Sequence, residues 1–352
     1  MHINRRELFT VAGATLLLAA CGSDSSGGST TTTSTTAAPT TVADTSTSVA
    51  ATAGPGTTAG DVLSFTDDRG ETVTFAERPT RVVAWQAMVP ALVELGIEPV
   101  GVIAFNDLAT NPGFIDAGVD TASLVAVSED YGEVDIEALL GLRPDVILTY
   151  TFGNELLQGF TDAATQQLAA DVAPFVALDA NADVESGIGR MVEFAALMGA
   201  DLDAPGIAED TAAFDAAKAE LQALVQDRPG LRVAFGGPAP TGLFVAPIDS
   251  YPELQFYRSL GLDVVDGPED AVVSWELAPG VDADVFMIDD RTTEAELAQA
   301  QDVAVWAKIP AVAAGQAIIG WRFLLSYSRA DYARTMQRLL ATLRTAKDDV
   351  VA

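Results

Sequence analysis

From residue 61 onward, short runs of β-branched and aromatic residues alternate with longer Ala- and Leu-rich stretches whose apolar positions recur at helical spacing. That alternation predicts α/β layers on mostly parallel sheets. Runs at 81–85, 100–105, 146–150, 232–236 and 285–288 read as buried strands. Each gives way to turn or polar residues, which therefore sit at a strand's carboxyl end, where open α/β sheets bind ligands. Between these groups, 183–199 carries Val184, Ile188, Met191, Val192 and Ala195 on one helical face, with Asp183 as N-cap and Gly199 as stop. A second helix is expected from about 207 to 226, ending before Pro229-Gly230.

The chain then repeats itself. Arg81-Val-Val, Leu95-Gly-Ile97, Asp135-Ile-Glu137 and Asp145-Val-Ile-Leu148 recur in order as Arg232-Val-Ala, Leu260-Gly-Leu262, Ser274-Trp-Glu276 and Asp284-Val-Phe-Met287. The interval from Glu to Asp is eight residues in both copies. Two copies of one α/β lobe are the economical reading, spanning 61–181 and 201–352, with the helix within 182–200 joining them.

Composition adds an unusual charge. Lys+Arg number 19 against Asp+Glu 50, a formal net charge of −31, so the surface repels a phosphate backbone and nucleic acid is not an expected partner. The one His is His2 and the one Cys is Cys21. Both stand at the amino terminus, which excludes Cys/His zinc sites, disulfides and His-based nucleophilic machinery from the globular part. No catalytic residue and no metal ligand set is expected, and no enzyme.

The amino terminus accounts for both residues. A cationic start containing Arg5-Arg6 is followed by thirteen uncharged residues at 8–20 and then Cys21. At 1.5 Å per residue the run is too short to cross a hydrocarbon core of about 30 Å, so 1–20 reads as a signal peptide. Leu18-Ala-Ala-Cys21 resembles the lipobox of bacterial lipoproteins, which implies lipidation of Cys21 and a membrane anchor on the outer face. Arg5-Arg6 also resembles a twin-arginine signal, leaving the Sec and twin-arginine routes both open. Residues 22–60 hold 20 Ser or Thr, no base and no aromatic residue, the composition of a disordered tether. As a flexible coil its reach is about 35 Å.

Pro79-x-Arg-Val-Val83, Leu95-Gly-x-x-Pro-Val-Gly-Val102 and Val134-Asp-x-Glu-x-Leu-x-x-Leu-Arg-Pro-Asp-Val-Ile-Leu148 together resemble the substrate-binding proteins of bacterial ABC importers for iron-siderophore complexes, haem and vitamin B12. The resemblance runs from about residue 61 to the C-terminus. It implies two α/β lobes bridged by a long helix, a ligand held in the cleft between them, and delivery to a permease dimer with a cytoplasmic ATPase. It also implies docking through one surface Glu on each lobe, which falls on Glu137 and Glu276. The residue types leave a second role open for both: acids in the first turn of a helix, behind Asp135 and Ser274 as N-caps.

Candidates for the cleft are aromatic or basic residues just past strand ends: Trp85, Phe105, Tyr131, Tyr150, Phe152, Phe244, Trp275, Arg291, Trp321 and Arg322. Phe105, Tyr131 and Trp275 fall at or near positions that face ligand in the family. Guanidinium forks suit the oxygens of a ferric catecholate, hydroxamate or carboxylate complex, with aromatics packing its organic shell. Absence of His from the globular part argues against a bare zinc or manganese cargo. A monomeric receptor for a ferric siderophore, a small-molecule iron chelate, is therefore the expectation, with a corrinoid or haem as the alternative cargo and a non-transport sensor or adhesin as a lower one.

Overall fold

The computed structural model describes residues 63–351 apart from positions 106, 129, 270, 324 and 325; the expected signal peptide, Cys21 and tether lie outside the described residues. A hairpin of β1 (Leu63–Thr66) and β2 (Thr72–Phe75) comes first. Its turn is held by Asp67, whose carboxylate accepts from the backbone N–H groups of Arg69 and Glu71 and reaches across to Ala177 N.

Five parallel strands follow: β3 (Val82–Trp85), β4 (Gly101–Ile103), β5 (Val125–Ala126), β6 (Val146–Thr151) and β7 (Phe175–Asp179), in spatial order β5-β4-β3-β6-β7. The intervening segments contain α1 (Val89–Glu94), α2 (Pro112–Ala117), α3 (Ile136–Leu142) and α4 (Ala163–Val172). Strands β3 and β6 are buried at every position, as parallel strands covered on both faces must be.

Two long helices separate this sheet from the next. In α5 (Val184–Met198), Asp183 accepts from Ser186 N, and Gly199 adopts φ +90° to close the last turn, matching the cap and stop read from the sequence. Helix α6 (Pro205–Asp227) then packs along the C-terminal helix.

The second sheet contains β8 (Arg232–Ala239), β9 (Gly242–Val245), β10 (Asp263–Val264), β11 (Val272–Ser274), β12 (Val285–Asp289) and β13 (Ala317–Trp321). Its order is β11-β9-β8-β12-β13, with β10 beside the start of β8. Helices α7 (Pro252–Ser259), α8 (Glu294–Gln301), α9 (Pro310–Ala313) and α10 (Arg329–Thr345) cover it. Strands β10, β12 and β13 run parallel to their neighbours, but β9 and β11 are antiparallel, a local departure from the expected parallel pattern. The cause is a tight hairpin after β8. Gly236 and Gly242 stand where a Cβ would collide with the carbonyls of Phe244 and Val273.

The repeat is visible bond by bond. Asp145 Oδ2 accepts from Arg81 N at 2.9 Å while Asp145 N donates to Arg81 O at 2.8 Å. In the second copy, Asp284 Oδ2 accepts from Arg232 N at 2.9 Å and Asp284 N donates to Arg232 O at 2.9 Å. Gly96 and Gly261 take φ +75° and +101° to end α1 and α7, each followed by an N–H that bonds back into its helix. The two lobes are thus built alike.

Side chains alternate across β12: Val285 and Met287 join the larger core, Phe286 and Ile288 the smaller one with Trp306 and Ile309. The larger core runs through both sheets and includes α5 and α10.

Candidate ligand site where the two sheets meet

Strand ends dictate the site. Trp85 closes β3, Phe105 lies two residues past β4, and Tyr131 comes from the loop before α3. Their rings touch: Trp85 stacks on Phe105 with centroids 5.7 Å apart, and Tyr131 meets both edge-on at 6.1 Å. Trp85 is buried beneath the other two, which are half-exposed. The support under Trp85 is Gly159, at φ +96°, where a Cβ would crowd the indole.

The second sheet offers a counterpart. Trp321 ends β13, and Tyr251 packs edge-on against it at 5.5 Å, against Phe323 at 4.9 Å and against Phe244 of β9 at 6.4 Å. The Arg291 guanidinium, just past β12, lies 6.0 Å from the Phe323 ring centroid. Sequence reading did not single out Tyr251 or Phe323. Phe323 sits beside Arg322 and could have been included with it; Tyr251, before Pro252 at the start of α7, gave no strand-end signal.

Ion pairs join the two halves. Arg322 donates from Nε to Asp290 Oδ2 at 2.8 Å and from Nη1 to Asp116 Oδ2 at 2.7 Å. Asp116 belongs to α2 of the first lobe, and also accepts from Arg338 Nη2 of α10 at 2.6 Å. Partial burial raises the Asp116 carboxyl pKa, but the hydrogen bonds from Arg338 and Arg322 outweigh it and leave the carboxyl below its ordinary range. Burial dominates at Asp290 and holds its carboxyl above that range. Arg291 is paired with Asp289, which accepts from both its side chain and its backbone N–H. A second join lies at β7, where the Tyr327 hydroxyl donates to Asp179 O at 2.9 Å.

Three expected contacts need correction in position. Tyr150 has no exposed surface; it packs edge-on to Tyr327 at 5.8 Å, and burial pushes its phenol pKa up. Every residue of β6 is covered, so the end of this strand is core and not rim. Trp321 is likewise enclosed, between Phe235 and Tyr251, leaving it as floor beneath the seam. Trp275 packs edge-on to Trp306 at 6.3 Å, against the smaller core on the other face of the second sheet.

Phe152 is exposed and lines a cavity of about 530 Å³ at the ends of β6 and β7, with Thr151, Asn154, Glu155 and Asp179. Glu137 is exposed in the first turn of α3, where Asp135 accepts from Glu137 N and Ala138 N as expected. Glu276 is also exposed, but the expected helix behind Ser274 is absent: 275–277 form a turn leading into a short 3₁₀ segment, Ala278–Gly280, and Pro279 cannot sustain a longer helix there. The Glu276 carboxyl accepts from its own backbone N–H and from the Ser274 hydroxyl, which hold its pKa below the usual carboxylate range.

A sequence model of the periplasmic binding proteins matches residues 89–320, which run from α1 into β13 and so take in most of both sheets. The chain belongs to the periplasmic binding protein family. Among solved structures it is similar to DesE, a ferric-siderophore receptor protein from Streptomyces coelicolor, at 28% identity and a TM-score of 0.71, covering 81% of this chain and 99% of that one. It is also similar to the Fe3+-Desferal-bound siderophore binding protein FhuD from Vibrio cholerae, at 23% identity and a TM-score of 0.57, covering 76% and 99%. The siderophore periplasmic binding protein from the fuscachelin gene cluster of Thermobifida fusca gives 18% identity and a TM-score of 0.58, covering 76% and 98%. The last two likenesses bear on fold alone. No curated protein sequence matches the chain.

Proposed function

We propose that this periplasmic binding protein is the solute-binding component of an ABC importer, capturing a ferric siderophore outside the cell membrane and delivering it to a permease dimer driven by a cytoplasmic ATPase. The reading is supported above all by two aromatic half-sites, Trp85/Phe105/Tyr131 and Phe244/Tyr251/Phe323, at the facing strand ends of duplicated lobes. An organic iron chelate needs apolar surface for its ligand shell and polar groups at its edge, and this seam has both. Likeness to DesE, whose cargo is a ferric siderophore, agrees with it. The protein performs no chemistry on its cargo. Lobe boundaries at 61–181 and 201–352, with the bridging helix within 182–200, belong to the same proposal.

The lipid on Cys21, the tether, export by the Sec or twin-arginine route, a monomeric state and permease docking through Glu137 and Glu276 complete it. Fluorescence titration of the purified chain provides the test, because two of its Trp residues, Trp85 and Trp321, underlie the seam. Saturable quenching by a ferric siderophore is expected; response to cobalamin alone overturns the cargo. Cys21→Ser is expected to release the protein from membranes, and its retention there would refute the anchor.

A further inference from the structure

Charge at the seam selects the class of cargo. Resting on the receptor reading above, we infer that the site takes a ferric complex of neutral or positive net charge, of the tris-hydroxamate kind, and rejects a triply negative tris-catecholate.

Arg291 is held by Asp289, Arg322 by Asp290 and Asp116, and Arg338 by Asp116. Three guanidiniums thus meet three carboxylates, and the group is neutral. Every Lys and Arg after residue 62 is described. Those with no carboxylate partner among the described residues are Arg78, Arg81, Arg143, Lys308 and Lys347. None stands at the carboxyl ends of the strands. Arg78 bonds the last turn of α5; Arg81 leads into the amino end of β3 and bonds the carbonyls of Leu142 and Arg143. Arg143 caps α3, Lys308 follows α8, and Lys347 follows α10.

What remains near the seam is negative. Four charged residues line the cavity beside Phe152: Arg69 is held by Asp67 and Asp68 by Arg190, whereas Glu155 and Asp179 form no ion pair among the described residues. The whole chain adds a formal charge of −31. A triply negative complex would thus be desolvated against a neutral group in a negative field, with no spare cation to receive it. A tris-hydroxamate neutralises ferric iron and leaves no charge to compensate. Its edge oxygens can still accept from the Arg291 guanidinium, whose side chain is 55% exposed, while Asp289 balances its charge.

The test uses the full chain and three probes: a ferric tris-hydroxamate with no ionised substituent, ferric desferrioxamine B with its protonated amine, and the ferric tris-catecholate enterobactin. Saturable binding of the first two is expected, with affinity for the neutral probe nearly unchanged by salt. Enterobactin is expected to bind at least about a hundredfold more weakly and to improve as salt screens the repulsion. Asp289→Asn uncages Arg291 and is expected to strengthen enterobactin binding by at least about tenfold, the effect of one added charge on a single opposite charge at about 12 Å and an effective dielectric near 20, the complex carrying three. Tighter binding of enterobactin than of either hydroxamate by the unaltered chain overturns the inference and leaves the receptor reading standing. Failure of all three iron complexes to bind overturns the receptor reading itself, and the inference with it.

Discussion

Replacing Asp116 with Asn removes a carboxylate that two guanidiniums share across the lobes, at 2.7 Å from Arg322 and 2.6 Å from Arg338. Asn keeps the shape and one acceptor oxygen, so the variant tests charge more than packing. A charge-assisted hydrogen bond contributes about 1.5–3 kcal/mol when well buried. Asp116 is 23% exposed and Arg338 38%, so solvent screening reduces the pair sum, and we expect a net loss of about 2 kcal/mol. With a urea dependence near 3 kcal/mol/M for a body of this size, the unfolding midpoint falls by about 0.7 M. The pH profile supplies a second check. The Asp116 pKa is lowered in the folded protein, so its stabilisation is complete above its ordinary value of 3.8 and is lost as pH falls through the depressed folded value. The gap between the native chain and Asp116→Asn therefore narrows in acid. Asp290 acts in the opposite sense: its raised pKa makes its ionised form unfavourable, and that penalty fades as pH falls through the raised value. Equilibrium urea unfolding at neutral pH and near pH 3 measures both. A neutral-pH loss below about 0.5 kcal/mol, the range of an exposed ion pair, would refute the bridging role.

Other substitutions probe other parts of the fold. In Gly187→Ala the new methyl enters the Tyr327 ring, which packs on α5 and bonds Asp179; a loss of about 1–3 kcal/mol in urea unfolding is expected, and an unchanged midpoint would mean the ring moves aside freely. Thr293→Ala removes the capping box of α8, in which Thr293 accepts from Glu296 N and Glu296 accepts from Thr293 N, and is expected to lower stability by about 1 kcal/mol. Glu137→Ala together with Glu276→Ala is expected to leave ligand titration intact and abolish uptake by whole cells; normal uptake would show that these exposed acids do not dock.

The sequence carried the middle of each lobe better than its margins. Strands β3, β4, β6, β8 and β12 fall within or across the runs read as strands, because a strand covered on both faces is apolar without interruption. Strand β13 was not legible: Ile318 and Ile319 stay partly exposed, and Pro310 and Gly315 break up the stretch before it. The antiparallel β9 left no trace either, since its placement follows from backbone approach at Gly236 and Gly242 and not from side-chain periodicity. At the site, position after a strand end was a good guide to place in the fold and a poor guide to exposure. Phe105 and Tyr131 remain at the surface, whereas Tyr150, on a strand flanked by β3 and β7, is sealed beneath Tyr327.

Where the lobes agree and where they part company supports the functional reading independently of the ligand. The bonds present in both copies gather at the amino ends of the strands: Asp145 on Arg81, Asp284 on Arg232, and the helix stops at Gly96 and Gly261. These fix strand spacing and helix exit, needs that any copy of the lobe shares. At the carboxyl ends the copies differ in kind. The first presents a compact aromatic triad around Trp85; the second presents Phe244, Tyr251 and Phe323 with the caged Arg291. Asp116 with Arg322 and Arg338 fastens the lobes to each other, whereas Arg291 and Asp289 both belong to the second lobe and bridge nothing, which leaves that guanidinium exposed beside the Phe323 ring. Placing paired charges beside half-exposed rings lowers the desolvation penalty of a polar, metal-bearing cargo while keeping apolar surface for its organic arms.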